Sequence, residues 1–85
     1  MASAKKLLAR ILGGSRNVSF KDMVKLVEAF GFRLRRISGS HHIFGRDSIP
    51  EQINLQNVGG EAKPYQVNQF LQLVEKYNLQ LEGDA

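Results

Sequence analysis

The 85-residue chain has no cysteine, which removes disulfides, zinc–thiolate centres and a thiol nucleophile from consideration. It has no long apolar run either. The most apolar N-terminal stretch, Lys5-Lys6-Leu7-Leu8-Ala9-Arg10-Ile11-Leu12, is interrupted by Arg10 and is too short and too charged for a secretory signal or a membrane span. Internal repeats, low-complexity tracts and domain boundaries are also missing. Histidines and carboxylates do not cluster at metal-ligand spacing, so neither a metal nor a cofactor is expected. A chain this short buries only about 60% of its unfolded surface and has no room for a deep internal site. These absences lead us to expect one soluble, cytoplasmic domain over residues 1–85, with any site in a surface groove.

Acidic residues are scarce in the first half. Residues 1–46 hold ten Lys or Arg against two acids (+8), whereas residues 47–85 hold two against six (−4), giving the net +4. A basic half points to an anionic partner such as nucleic acid, with binding driven largely by counterion release. The alternative is that these side chains only solvate helix faces.

Along the chain, Leu7, Leu8, Ile11 and Leu12 recur on one side of a short amphipathic helix over residues 4–12, ended by Gly13-Gly14 and expected to act as a packing strut. Ser19 is a good N-cap for a second helix, with Asp22 near its positive end. Phe20, Met23, Val24, Val27 and Phe30 form its core stripe up to a stop at Gly31. Phe32-Arg33-Leu34-Arg35 then alternates as a strand with its arginines on one wet face. After Leu34 the alternation slips, marking a bulge or the end of regular pairing. Asp47-Ser48-Ile49-Pro50 is a turn, Gln52–Gln56 a third strand with Ile53 and Leu55 facing inward, and residues 59–63 a flexible connection. Pro64 opens a last helix that buries Val67, Phe70, Leu71, Val74 and Tyr77. With the first helix as an addition, the order is α-β-β-β-α. This is an α+β fold with a three-stranded antiparallel sheet and both main helices on one face.

The stretch from Arg36 to Phe44 is the candidate site. Gly39, flanked by Ser38 and Ser40, suits a hairpin turn, and the strand after it opens with His41 and His42. An ordinary imidazole has a pKa of about 6.5 and exchanges protons near neutrality. Arg33, Arg35 and Arg36 precede the turn and Arg46 follows it, a combination suited to phosphate. Adjacent strand residues point to opposite faces, so only one histidine is exposed. If Phe44 is in the core, that one is His41; the opposite parity exposes Phe44 as a stacking platform.

These residues carry a family resemblance. Gly31-Phe32, Arg36, Gly39-Ser40-His41-His42-Ile43-Phe44 and Ile49-Pro50, followed by a C-terminal helix, resemble the HicA (YcfA-like) family, the toxin half of bacterial HicA and HicB toxin–antitoxin pairs. The likeness spans residues 19–79, leaving residues 1–18 as an accessory helix and linker and 80–85 as a tail. It implies a double-stranded-RNA-binding-domain-like fold, metal-independent cleavage of mRNA and neutralisation by a HicB-like antitoxin. It also implies that His41 is catalytic and hence that Phe44 is buried. Many family members carry a further histidine after the proline, where this chain has Glu51 and Gln52.

In such a ribonuclease His41 is the proton-transfer group, Arg36 with Arg35 or Arg46 holds the phosphate, and Gly39 supports the turn. No second proton-transfer group is evident; His42, Ser40 and water are the candidates. For Ser40 a turn role is favoured over a nucleophile, since no Asp-His relay is visible. Two other classes compete: an RNA-binding module without catalysis that uses Arg33, Arg35 and Arg36, and a protein-interaction module that docks its basic face on an acidic partner.

Overall fold

The structure is a computed structural model and describes residues 3–82. Residues 83–85 of the expected tail and residues 1–2 of the accessory segment lie outside the described residues. Among the described residues three helices and four strands follow in the order α1 (Ala4–Leu12), α2 (Phe20–Ala29), β1 (Arg33–Ser38), β2 (His41–Gly45), β3 (Ile53–Val58), β4 (Glu61–Ala62) and α3 (Pro64–Lys76).

Local chemistry sets the helix ends. Ser3 and Ser19 cap α1 and α2, their hydroxyls accepting from the amides of Lys6 and Asp22. Beyond α2 the amides of Gly31 and Phe32 return to the carbonyls of Glu28 and Val27, the paired closure that ends a helix in a left-handed residue. α3 begins at Pro64 with no side-chain cap.

The core is one cluster. Ile53 and Leu55 of β3 and Phe44 of β2 face Met23, Leu26 and Val27 of α2 and Val67 and Phe70 of α3. Phe30 and Phe32 meet the Phe70 ring edge-on, with centroids 5.4 and 6.1 Å apart. Leu7 and Ile11 bring α1 into this packing against α2, as expected for a strut. Leu26, which lies off the predicted stripe, is fully buried, while Leu71, Val74 and Tyr77 are only half-buried.

The sheet is antiparallel with strand order β1-β2-β3-β4, so the three-stranded expectation is extended by one short strand. Residues 59–63 are not a flexible connection. Gly59-Gly60 close a tight turn, Asn57 Oδ1 accepts from the Gly60 amide at 2.8 Å, and Ala62 is buried. The segment before α2 also pairs with this turn, since the Ala62 amide donates to Val18 and the Phe20 amide to Gly60. β4 is too short to cover β3 completely. The side chain of Gln66, 1% exposed, takes the place of the missing strand, its Oε1 accepting from the Gln56 amide at 2.7 Å.

Candidate functional site

The hairpin joining β1 and β2 positions the site. Ser38 pairs with His41 across the two-residue turn Gly39-Ser40. Gly39 has φ +62°, and of the two turn residues it alone lies in the left-handed region, the arrangement of a hairpin turn that requires glycine first. The Ser40 carbonyl accepts from the Asn57 amide at 3.2 Å and from His42 Nδ1 at 3.3 Å, which ties the turn to β3.

A bulge resolves the slip in the alternation. The register of β1 against β2 shifts between Leu34 and Arg36, making Arg35 the extra residue. Leu34 and Ile37 therefore both lie on the helix-bearing side, opposite Phe44 and His42, whereas Arg36 and Ser38 lie on the open side, opposite Ile43 and His41. Arg33, opposite Gly45, and Arg35, whose side chain crosses the Cβ side of Gly45, lie on that open side as well, so the arginines of β1 share one wet face as expected and differ in their partners. Leu34 and Ile37 remain exposed because β1 is an edge strand reaching past the helices.

The two histidines separate by face. His42 sits half-buried on the helix side with its ring edge against Phe20, centroids 4.8 Å apart. His41 lies on the open face, and Phe44 is buried at 1% exposure. His41 Nδ1 is 3.1 Å from Asn54 Oδ1 on β3. Among the described residues its Nε2 has no hydrogen-bond partner and no buried side-chain nitrogen or oxygen is left unpaired, so Nε2 is accessible to solvent.

The arginines have different partners. Arg33 donates to the carbonyls of Glu28 and Phe32, and Arg46 to that of Phe30 at 2.8 Å, both at the negative end of α2. Arg46 also pairs with Glu82 at 2.8 Å. Arg35 crosses Gly45, where a Cβ would come within 3.1 Å of its Nε, and pairs with the exposed Asp47 at 2.7 Å. Among the described residues Arg36 has no hydrogen-bond or ion-pair partner, so of the four arginines it alone presents a guanidinium unengaged by them, on the His41 face. Ser40 is exposed at the turn. Asn54 is the site residue that sequence reasoning missed; with Ile53 and Leu55 facing inward it falls on the open side of β3, but nothing in its own stretch singles it out.

Glu51, which follows Pro50 in the turn before β3, belongs to a separate cluster. Its carboxylate accepts from Lys76 Nζ at 2.7 Å and from the Tyr77 hydroxyl, joining the turn before β3 to the end of α3. The bond from Lys76, then that from Tyr77, holds Glu51 below the usual carboxylate range, and Glu51 in turn raises Lys76 and Tyr77.

Among the described residues no group of three or more His, Cys, Asp or Glu is arranged to hold a metal ion, and no helix is long and apolar enough to cross a membrane. No significant match to a curated protein or to a solved structure was found. A family model described as the HicA toxin of bacterial toxin–antitoxin systems does match, over residues 20–75, which take in α2, the whole sheet and nearly all of α3. The chain belongs to the HicA toxin family of bacterial toxin–antitoxin systems.

Proposed function

We propose that this toxin-family chain is a metal-independent endoribonuclease that cleaves mRNA in the cytoplasm and is neutralised by a HicB-like antitoxin placing acidic residues over its basic face. The observation that carries this reading is the pairing of an accessible imidazole nitrogen on His41 with an unengaged guanidinium on Arg36, on one open sheet face. We read the core from α2 to α3, with β1 to β3 as its main strands and β4 as a short addition, as an arrangement like that of double-stranded-RNA-binding domains, used here to present a cleavage site.

The chemistry needs little else. His41 Nε2 takes the proton of a ribose 2′-hydroxyl while the 2′-oxygen attacks the adjacent phosphorus. The bond to the 5′-oxygen breaks, and a proton from the imidazolium or from water completes the 5′-hydroxyl product. The other product is a 2′,3′-cyclic phosphate. Arg36 neutralises charge on the equatorial oxygens as they become more negative. Such proton transfer contributes about 10²- to 10⁴-fold in rate.

The alternative is an RNA-binding module without catalysis. It is favoured by the polar neighbours of His41 on this face, Ser38, Asn54 and Gln56, none of which is a second acid or base near neutrality. Incubating a mixed RNA with the protein and with its His41→Ala variant, in EDTA, separates the two. Cleavage by the parent alone supports the ribonuclease; RNA bound but left intact by both selects the binding module.

A further inference from the structure

We propose that Asn54 is the positioning residue of this site: its amide oxygen fixes His41 as the Nδ1–H tautomer and leaves Nε2 as the atom that takes the proton. This rests on the reading of His41 as the proton-transfer group.

In register, His41 stands opposite Gln56 and Ile43 opposite Asn54, so His41 and Asn54 are diagonal neighbours across β2 and β3 on the open face. Gln56, although directly opposite, makes no bond to the ring; its main-chain amide is taken by Gln66. Asn54 meets His41 through Oδ1, which only accepts, so the 3.1 Å contact requires the hydrogen on Nδ1. The remaining lone pair is on Nε2, the nitrogen that is accessible to solvent.

Asn54 is well placed to impose this. It sits between the buried Ile53 and Leu55 on β3, an interior strand of the sheet, so its backbone is fixed by the core. An unrestrained histidine in water favours the Nε2–H form, which would put a donor where a base is needed. The amide oxygen reverses that preference. Once Nε2 takes a proton, the Nδ1–H bond to Oδ1 becomes charge-assisted and strengthens, so Asn54 also steadies the imidazolium until it returns the proton.

The test uses the full chain with ¹⁵N-labelled histidine. Long-range ¹H–¹⁵N correlation at about pH 8, where an ordinary imidazole is neutral, reads the tautomer directly. The parent should show His41 protonated on Nδ1, Asn54→Ala should shift it to the Nε2–H form, and Asn54→Asp, which keeps an accepting oxygen, should restore Nδ1–H. In parallel, RNA cleavage should fall about tenfold or more in Asn54→Ala, by analogy with other orienting groups behind a histidine, and recover in part in Asn54→Asp. An Nε2–H tautomer in the parent, or an Asn54→Ala protein with an unchanged tautomer or parental cleavage, overturns the proposal while His41 keeps its role. A parent that cleaves no RNA overturns the ribonuclease reading itself, and the catalytic part of this proposal with it.

Discussion

His41 and Asn54 meet diagonally across β2 and β3, ring Nδ1 to amide Oδ1 at 3.1 Å. A diagonal contact exists in only one register, and a one-residue slip of β2 would turn His41 to the helix side and His42 to the open face. What sets the register on the β1 side is the two-residue turn whose first residue, Gly39, has φ +62°.

Gly39→Ala should therefore act on stability and on the site together. The substituted Cβ meets nothing within 4 Å, so the penalty is conformational, about 1–2 kcal/mol for holding a side-chain-bearing residue in the left-handed region. Urea unfolding measures the loss, and cleavage should fall further than the change in folded fraction explains.

The four arginines should divide by partner. Arg36→Ala removes a group with no partner among the described residues, so unfolding should change by less than about 0.5 kcal/mol. RNA binding should weaken across sequences, and the salt dependence should become shallower by about 0.7–0.9 in log–log slope, the value of one phosphate contact. Arg46→Ala is the contrasting variant. It leaves the Phe30 carbonyl and Glu82 without their cation and should cost about 1–2 kcal/mol of stability. Fluorescence anisotropy with a labelled RNA across a salt series, beside urea melts, reads both.

Glu51 predicts a pH signature. Lys76 and Tyr77 hold it below its ordinary value near 4.5, so its contribution to stability is fully present above that value and is lost as pH falls through its lower folded value. Lys76 and Tyr77 are raised from values near 10.5 and 10.0, so their contributions are present below those values and lost as pH rises through the higher folded ones. Glu51→Gln should flatten both limbs. Denaturant midpoints from about pH 3 to about pH 11 test this, and an acid limb as steep in Glu51→Gln as in the parent would contradict it.

Much of this arrangement was legible because it depends on neighbours in sequence. Ser19 as a cap, the Gly31 stop and the Val67 and Phe70 stripe each rest on spacing within one element, and the structure has them in place. The slip after Leu34 was visible too, and its resolution as a bulge depends on β2 pairing. What remained hidden comes from partners distant in sequence. Nothing near Glu61 and Ala62 announces a strand, because the partners on their outer side are Val18 and Ser19. Gln66 reads as a surface residue until β4 proves too short to cover Gln56. The arginines share one composition, but the carbonyls at the end of α2 engage Arg33 and Arg46 and leave Arg36 free of such bonds. Asn54 follows the same rule, since 13 residues separate it from His41.

The most direct test of the central claim is the chemistry of the RNA ends formed in EDTA. A defined RNA is treated with the parent and with His41→Ala, and the fragments are identified by mass spectrometry. The account predicts 5′-hydroxyl and 2′,3′-cyclic phosphate ends, with a 3′-phosphate as the opened form, from the parent alone. Fragments with 5′-phosphate and 3′-hydroxyl ends, or the same products from a folded His41→Ala protein, would contradict it.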